Sequence, residues 1–330
     1  MKRELVLGVE RWPCRQPFRI SGQTWTDAEV VVCEIREAGI SGRGEAAGVY
    51  YRGEDAASLC SQIEAIGTQI RDGVERQALL ELLPSGGARN AVDCALWDLQ
   101  ARRTARSVRD RLGIADAGVS TVFTIGLEST PQAMADKAGA ASDRPNLKIK
   151  LDADRPVERV AAIRAARPDA RLIADVNGGW SFQQLKAWAP ALSELGLSLL
   201  EQPLPRGGDA ELEGYDAPLP LFADESCLDL SELPLAAERY DGLVIKLDKA
   251  GGLTAALALA AQARARRMQL MVGCMVATSL AMAPAHVLAS LCDFVDIDGP
   301  LLLASDRAIG LRYDGASVTV PHSGCWGTAD

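Results

Sequence analysis

One recurrence limits the fold of this 330-residue chain more than any other feature: an apolar, β-prone run that leads into a charged residue, repeated through the second half. The runs are NLKIK (Asn146 to Lys150), IADVN (Ile173 to Asn177), LLEQP (Leu199 to Pro203), FADES (Phe222 to Ser226), LVIKLDKAGG (Leu243 to Gly252) and DFVDIDG (Asp293 to Gly299). Counted from Lys150, the charges Asp175, Glu201, Asp224 and Lys246 follow at steps of 25, 26, 23 and 22 residues, and Asp296 lies 50 further on. A step of that length holds one strand, one helix and two short loops, and the last gap is two such steps. Charges at the ends of consecutive parallel strands converge on one mouth of a (β/α) barrel.

The alternation of strand and helix runs from Val119–Leu127 to Phe294–Ile297 and gives eight strands. An open doubly wound sheet would carry a glycine fingerprint after its first strand, and none is present. The expected fold is therefore α/β, a (β/α)7β TIM-type barrel over about residues 116–300. Residues 1–115 read as an α+β capping domain. Its three strand-like runs are ELVLGVERW, AEVVVCEIREAG and SGRGEAAGVYY; a helix is expected over 54–82 and another over about Ala88 to Arg106, with Trp97 and Asp98 on other faces or at a seam. The tail, about 301–330, returns as loop and a short strand (ASVTV) to complete the cap.

Composition removes several classes of function. A net charge of -9 argues against nucleic acid, which needs a basic face, and Arg264 to Arg267 read as a solvated helix face. The 48% apolar share describes a globular chain, and no apolar run reaches membrane-spanning length. The early LVLGV stretch is cut off by Glu10 and Arg11, too short for a signal segment. Eight cysteines without C-x-x-C spacing suit reduced thiols, so a cytoplasmic protein is expected, with no membrane partner. A homo-oligomer is also expected.

Asp175, Glu201 and Asp224 come from three successive strand ends, where they would repel one another unless a cation neutralised them. An all-oxygen donor set selects a hard ion, Mg²⁺ rather than Zn²⁺. Lys148 and Lys150 leave one face of a strand, and their mutual repulsion is expected to depress one amine toward neutrality, making it a usable base. Lys246 lies four strands further round and should face Lys150 across the mouth. Two opposed amines about a metal suit removal and return of an α-proton through an ene-diolate.

The motifs K-x-K, DVN, EQP, ADES and IK-x-x-K-x-GG, with ALWDLQARR in the first domain, resemble the muconate-lactonising subgroup of the enolase superfamily. GCMVATS (Gly273 to Ser279) and DIDGP (Asp296 to Pro300) more narrowly resemble its dipeptide epimerases, of which the L-Ala-D/L-Glu kind is best known. The resemblance implies Lys150 and Lys246 as the acid/base pair, Lys148 as tuning Lys150 and touching the substrate carboxylate, and Asp175, Glu201 and Asp224 as Mg²⁺ ligands. Asp296 and Asp298 would hold the α-ammonium of a dipeptide, although one of them could instead cap the turn before Gly299. Further substrate contacts are implied at Thr124, Asn177, Cys274, Met275 and Trp25. Trp25 stands about where glutamate-preferring relatives offer an arginine, so it either packs under its loop or favours an apolar second residue. The implied activity is inversion of the C-terminal α-carbon of a dipeptide. Other enzymes of the subgroup (N-acyl amino acid racemase, cycloisomerase, o-succinylbenzoate synthase), a Schiff-base aldolase or a binding protein are the alternatives.

Overall fold

The computed structural model describes residues 2–330. The first domain opens with three antiparallel strands, Glu4–Ile20, Gln23–Glu37 and Ile40–Ala46, paired in chain order. The middle strand is buried on both faces. Val31, Cys33 and Ile35 pack with Leu96 and Leu99 of the helix Gly87–Arg103, while Ala28 and Val30 join the barrel's main core. The third strand lies close against this helix because it presents glycine. A Cβ on Gly42 would stand 2.2 Å from Leu99 N, and one on Gly44 2.2 Å from Ala91 O. The single helix expected over 54–82 is three short ones, Ala56–Ala65, Gly67–Arg71 and Arg76–Leu82, with Gly73 at φ 97° turning the chain before the third.

Helix Gly87–Arg103 is buried almost all round, so its polar side chains need partners. Arg89 donates to the carbonyls of Ala250 and Gly251. Asp93 accepts from the Thr254 N–H and hydroxyl, and the Trp97 indole donates to the same hydroxyl oxygen. Trp97 thus lies at the seam with the barrel. Asp98 accepts from Gly327 N–H in the tail and Arg43 N–H in the cap.

Eight parallel strands follow in sequential order: Phe123–Ile125, Asn146–Lys150, Arg171–Asp175, Leu197–Glu201, Leu221–Ala223, Gly242–Ile245, Gln269–Val272 and Phe294–Val295. The sheet curls until its ends meet: Val122 N–H donates to Val295 O at 2.9 Å. Inside it lies one apolar layer of Val122, Ile173, Leu199, Phe222, Val244, Met271 and Phe294. Phe222 fills the centre because Gly242 yields the space, a Cβ there falling 2.4 Å from the ring. Side chains repeat every two residues along a strand. The residues two beyond Ile173, Leu199, Phe222, Val244 and Phe294 are Asp175, Glu201, Asp224, Lys246 and Asp296, so the layer that fills the barrel also fixes which charges face its mouth.

Two boundaries differ from expectation. Val119–Leu127 is not one strand: Val119–Ser120 pairs with Ser317–Val318 in a small antiparallel sheet, and only Phe123–Ile125 enters the barrel. The tail strand therefore pairs at the start of the barrel region, not with the cap sheet. The tail still reaches the first domain, through Ala304 N–H to Pro13 O and the Trp326 indole to Cys94 O. Arg264, Arg266 and Arg267 are exposed, as read from the sequence, and no helix among the described residues is long and apolar enough to cross a membrane.

His286 is buried on helix Ser279–Ala289, where Arg109 Nη1 approaches its Nδ1 at 3.2 Å and Val318 O its Nε2 at 3.3 Å. A guanidinium only donates, so Nδ1 accepts and Nε2 carries the proton. Burial lowers the pKa to about 4, and nearby Arg109 works in the same direction against the Val318 hydrogen bond. A depressed pKa means the stabilisation is complete above the unfolded value of about 6.5 and is lost as pH falls toward 4. Denaturant unfolding of wild type and His286→Gln should show wild type losing roughly 2 kcal/mol more than the variant between pH 7 and pH 4.5.

Candidate active site

The second barrel strand carries Lys148 and Lys150 on its inward face, and Lys246 directly follows the sixth. Lys150 Nζ donates to Asp175 Oδ2 at 2.6 Å and reaches Asn177 Oδ1 at 3.4 Å. From four strands away, Lys246 Nζ donates to Asp224 Oδ2 at 2.6 Å. Lys148 lies among three carboxylates, donating to Asp296 Oδ2 at 2.7 Å and standing 2.7 Å from Glu201 Oε2 and 3.1 Å from Asp175 Oδ2. Lys150 and Lys246 line the same cavity with Cys274 and Met275. The sequence-selected charges are therefore brought together at one end of the barrel.

At Lys148 the surrounding acids, not the neighbouring lysine, set the electrostatics. Burial works to lower its pKa, but Asp296, Glu201 and Asp175 outweigh burial and the amine is held well above the ordinary lysine value. Repulsion between neighbouring lysines loses to three anions at contact distance. Burial likewise pushes against ionisation of Asp175, yet Lys150, Lys148 and Lys246 hold its carboxyl well below the usual range. Glu201 goes the other way, pushed up by burial and by the Asp175 charge. Neither of its buried oxygens has a hydrogen-bond partner, and the Lys148 amine stands 2.7 Å from Oε2 as an ion pair. A buried carboxylate without hydrogen bonds, flanked by two more from adjacent strands, suits a hard divalent cation. Among the described residues, however, the set of three acidic or thiol side chains with ligand atoms within 4.8 Å of one another is Cys274, Asp296 and Asp298.

Asp298 does not use its side chain to cap the short helix Gly299–Leu302. Its Oδ2 accepts the Thr124 N–H at 2.7 Å, across the seam where the first and last strands meet. Burial and then the neighbouring Asp296 raise its pKa to about 7. Thr124 thus meets Asp298 through its backbone. Above the mouth, the cap supplies Phe18, Trp25, Tyr50 and Tyr51 as a chain of rings, with Phe18 and Trp25 stacked at 6.1 Å and Trp25 edge-on to Tyr50 at 5.2 Å.

Residues 132–320 match the model for an enolase C-terminal domain-like family, and residues 2–113 match the mandelate racemase/muconate lactonizing enzyme N-terminal domain. The chain belongs to the enolase superfamily. It is 45% identical to the L-Ala-D/L-Glu epimerase of Escherichia coli K12 over 314 residues, which is 94% of this chain and 98% of that one. It is 42% identical to an N-acetyl-D-glutamate racemase of a Pseudoalteromonas species over 256 residues, 78% of this chain and 81% of the other. Among solved structures, an enolase family member from Agrobacterium tumefaciens with homology to dipeptide epimerases, bound to sodium and L-Ala-L-Glu, superposes with a TM-score of 0.95. That protein is 42% identical, and the match covers 98% of this chain and 100% of the other.

Within this superfamily member several side chains at the site carry no sequence signal beyond their motif. Lys249 is buried and donates to Asp224 Oδ1 at 2.6 Å and to the Cys227 and Val244 carbonyls. It stands in IK-x-x-K-x-GG, the one hint of its importance. Gln202, at φ 37°, accepts from the Asp224 and Ser226 N–H groups and so fixes the Asp224 turn. Glu225 accepts from Asn177 Nδ2 at 3.2 Å and leaves Oε2 buried without a partner. Asp248, two residues after Lys246, accepts the Ala47 and Gly48 N–H groups at 3.0 and 3.1 Å, tying the loop after the third strand of the first domain to the barrel. In Asp248→Ala, amide exchange at Ala47 and Gly48 should quicken by roughly 10- to 100-fold, read by hydrogen-exchange mass spectrometry. Asp248→Asn should stay protected, since an amide oxygen accepts both bonds.

Proposed function

We propose that this protein is a dipeptide epimerase that inverts the α-carbon of the C-terminal residue. The observation that carries the reading is the approach of two amines, Lys150 and Lys246, to one cavity from strands four apart in an eight-strand ring. One amine removes the α-proton and the other returns a proton to the opposite face, which inverts the centre. The mouth of the barrel holds the rest of the substrate. Asp296 and Asp298 accept the α-ammonium, a role that an N-acylated substrate could not use. Lys148, fully charged among its anions, orients the substrate carboxylate. Asn177 spans Lys150 and Glu225, and Cys274 and Met275 wall the cavity.

Mg²⁺ held by Asp175, Glu201 and Asp224 would supply the positive charge that stabilises the second negative charge of an ene-diolate. We place the division between cap and barrel at about residues 115 and 116, with 301–330 completing the cap. The contacts of Trp326 and Gly327 with helix Gly87–Arg103 support that division. All eight cysteines are free thiols, which suits a reducing compartment, and a cytoplasmic homo-oligomer is part of the proposal.

In D₂O the wild type should wash deuterium into the C-terminal α-position of a dipeptide and yield both epimers, and an N-acetyl amino acid should exchange more slowly. Lys150→Ala and Lys246→Ala should each lower epimerisation by about 10² to 10⁴. One of them should still exchange the proton of a single epimer, as chiral chromatography with mass spectrometry would record. Full activity in either variant rules out the two-base assignment. Treatment with EDTA should abolish turnover and added Mg²⁺ restore it; persistent turnover in metal-free buffer rules out the three-carboxylate site.

A further inference from the structure

We infer that the cavity for the C-terminal residue's side chain is built for an uncharged, apolar group and against an acidic one. This inference rests on the dipeptide reading and adds the substrate class to it. The cavity, about 120 Å³, lies between the cap loops and the barrel mouth. Its walls are the Phe18–Trp25–Tyr50 ring chain, Met275 and Val276. Apart from the two lysines, Asn177 and the acids Glu29 and Glu225, the lining is uncharged and mainly apolar.

Charge decides the rest. Among the described residues that line the cavity, the cations are Lys150 and Lys246 alone, and each already donates to a carboxylate at 2.6 Å. The nearby arginines are engaged elsewhere. Arg11 pairs with Glu29 and Asp27, Arg52 donates to Ser85 O, and Arg206 is held by Glu232 and the Glu225 carbonyl. Arg19 lines a neighbouring cavity, not this one. Glu225, by contrast, lines this cavity and keeps one buried oxygen unpartnered. A substrate carboxylate placed here would face that acid and the negative faces of aromatic rings, with no free cation to offset its lost hydration. Trp25 is the specificity-determining residue. It stacks on Phe18 and meets Tyr50 edge-on, so it fixes the wall instead of merely packing beneath the loop.

The test measures deuterium incorporation by the Mg²⁺-supplemented enzyme in D₂O with L-Ala-L-Leu, L-Ala-L-Gln and L-Ala-L-Glu. L-Ala-L-Leu should exceed L-Ala-L-Glu in kcat/KM by at least about tenfold, and L-Ala-L-Gln should also exceed L-Ala-L-Glu, because it matches glutamate in size without the charge. Trp25→Arg should move the Glu-to-Leu ratio toward glutamate by at least about tenfold. If wild type exchanges L-Ala-L-Glu as fast as or faster than L-Ala-L-Leu, the specificity inference is overturned while the epimerase reading stands. If no dipeptide exchanges, the epimerase reading falls as well, so the two failures are distinguishable. A folded Trp25→Arg with unchanged preference overturns the role given to Trp25.

Discussion

The structure depends on how charge is balanced inside the barrel mouth. Asp175, Glu201, Asp224, Asp296 and Asp298 are all buried, and burying so many carboxylates without compensation would cost several kcal/mol for each. Lys148, Lys150, Lys246 and Lys249 are buried among them. The amines do not simply pair off. Lys148 is shared by three acids, Asp224 is shared by two lysines, and Glu201 is left without a hydrogen bond. A network short of donors at one point and rich at another leaves Glu201, between the other two acids of the set, as the group with most to gain from an added cation.

The barrel makes that arrangement possible through a simple periodicity. The apolar layer of Ile173, Leu199, Phe222, Val244 and Phe294 is what packs the interior, and the site charges sit two positions further along the same strands. A one-residue slip of any strand would turn its charge outward and expose its core residue together. Packing therefore enforces the position of the chemistry, and this is why the architecture and the main charged residues were legible from spacing alone. Residues at 22- to 26-step intervals had to share a rim once the runs were strands of one barrel.

What spacing could not give was anything set by three-dimensional neighbours. The sequence shows Lys150 two residues from Lys148 but not Asp296, which is 148 positions distant and in contact, so the charge that holds the Lys148 amine up is invisible to spacing. Asp248 reads as one more acid in a lysine-rich motif, and only the fold reveals that it grips the cap at Ala47 and Gly48. Asp298 looked able to cap a turn, yet its carboxylate is drawn to Thr124 N–H because the closing seam of the barrel leaves that donor to be satisfied. The split of Val119–Leu127 has a similar cause: the tail competes for Val119 and Ser120, and local strand propensity is silent about which partner wins.

The division of labour between cap and barrel follows from the same physics. Groups proposed to move protons must be held within tenths of an ångström, and strand ends locked by core packing on one side and ion pairs on the other provide such rigidity. Groups that sort substrates need only present a wall of the right size and charge. The cap's wall is drawn from separate segments, Phe18 and Trp25 on the first two strands and Tyr50 and Tyr51 in the loop after the third. Asp248, two residues after Lys246, anchors the loop that leads to Tyr50 and Tyr51 by accepting the Ala47 and Gly48 N–H groups. Trp25 belongs to that wall through its contacts with Phe18 and Tyr50, and among the described residues no hydrogen bond or ion pair links its side chain to the ion-pair network beneath.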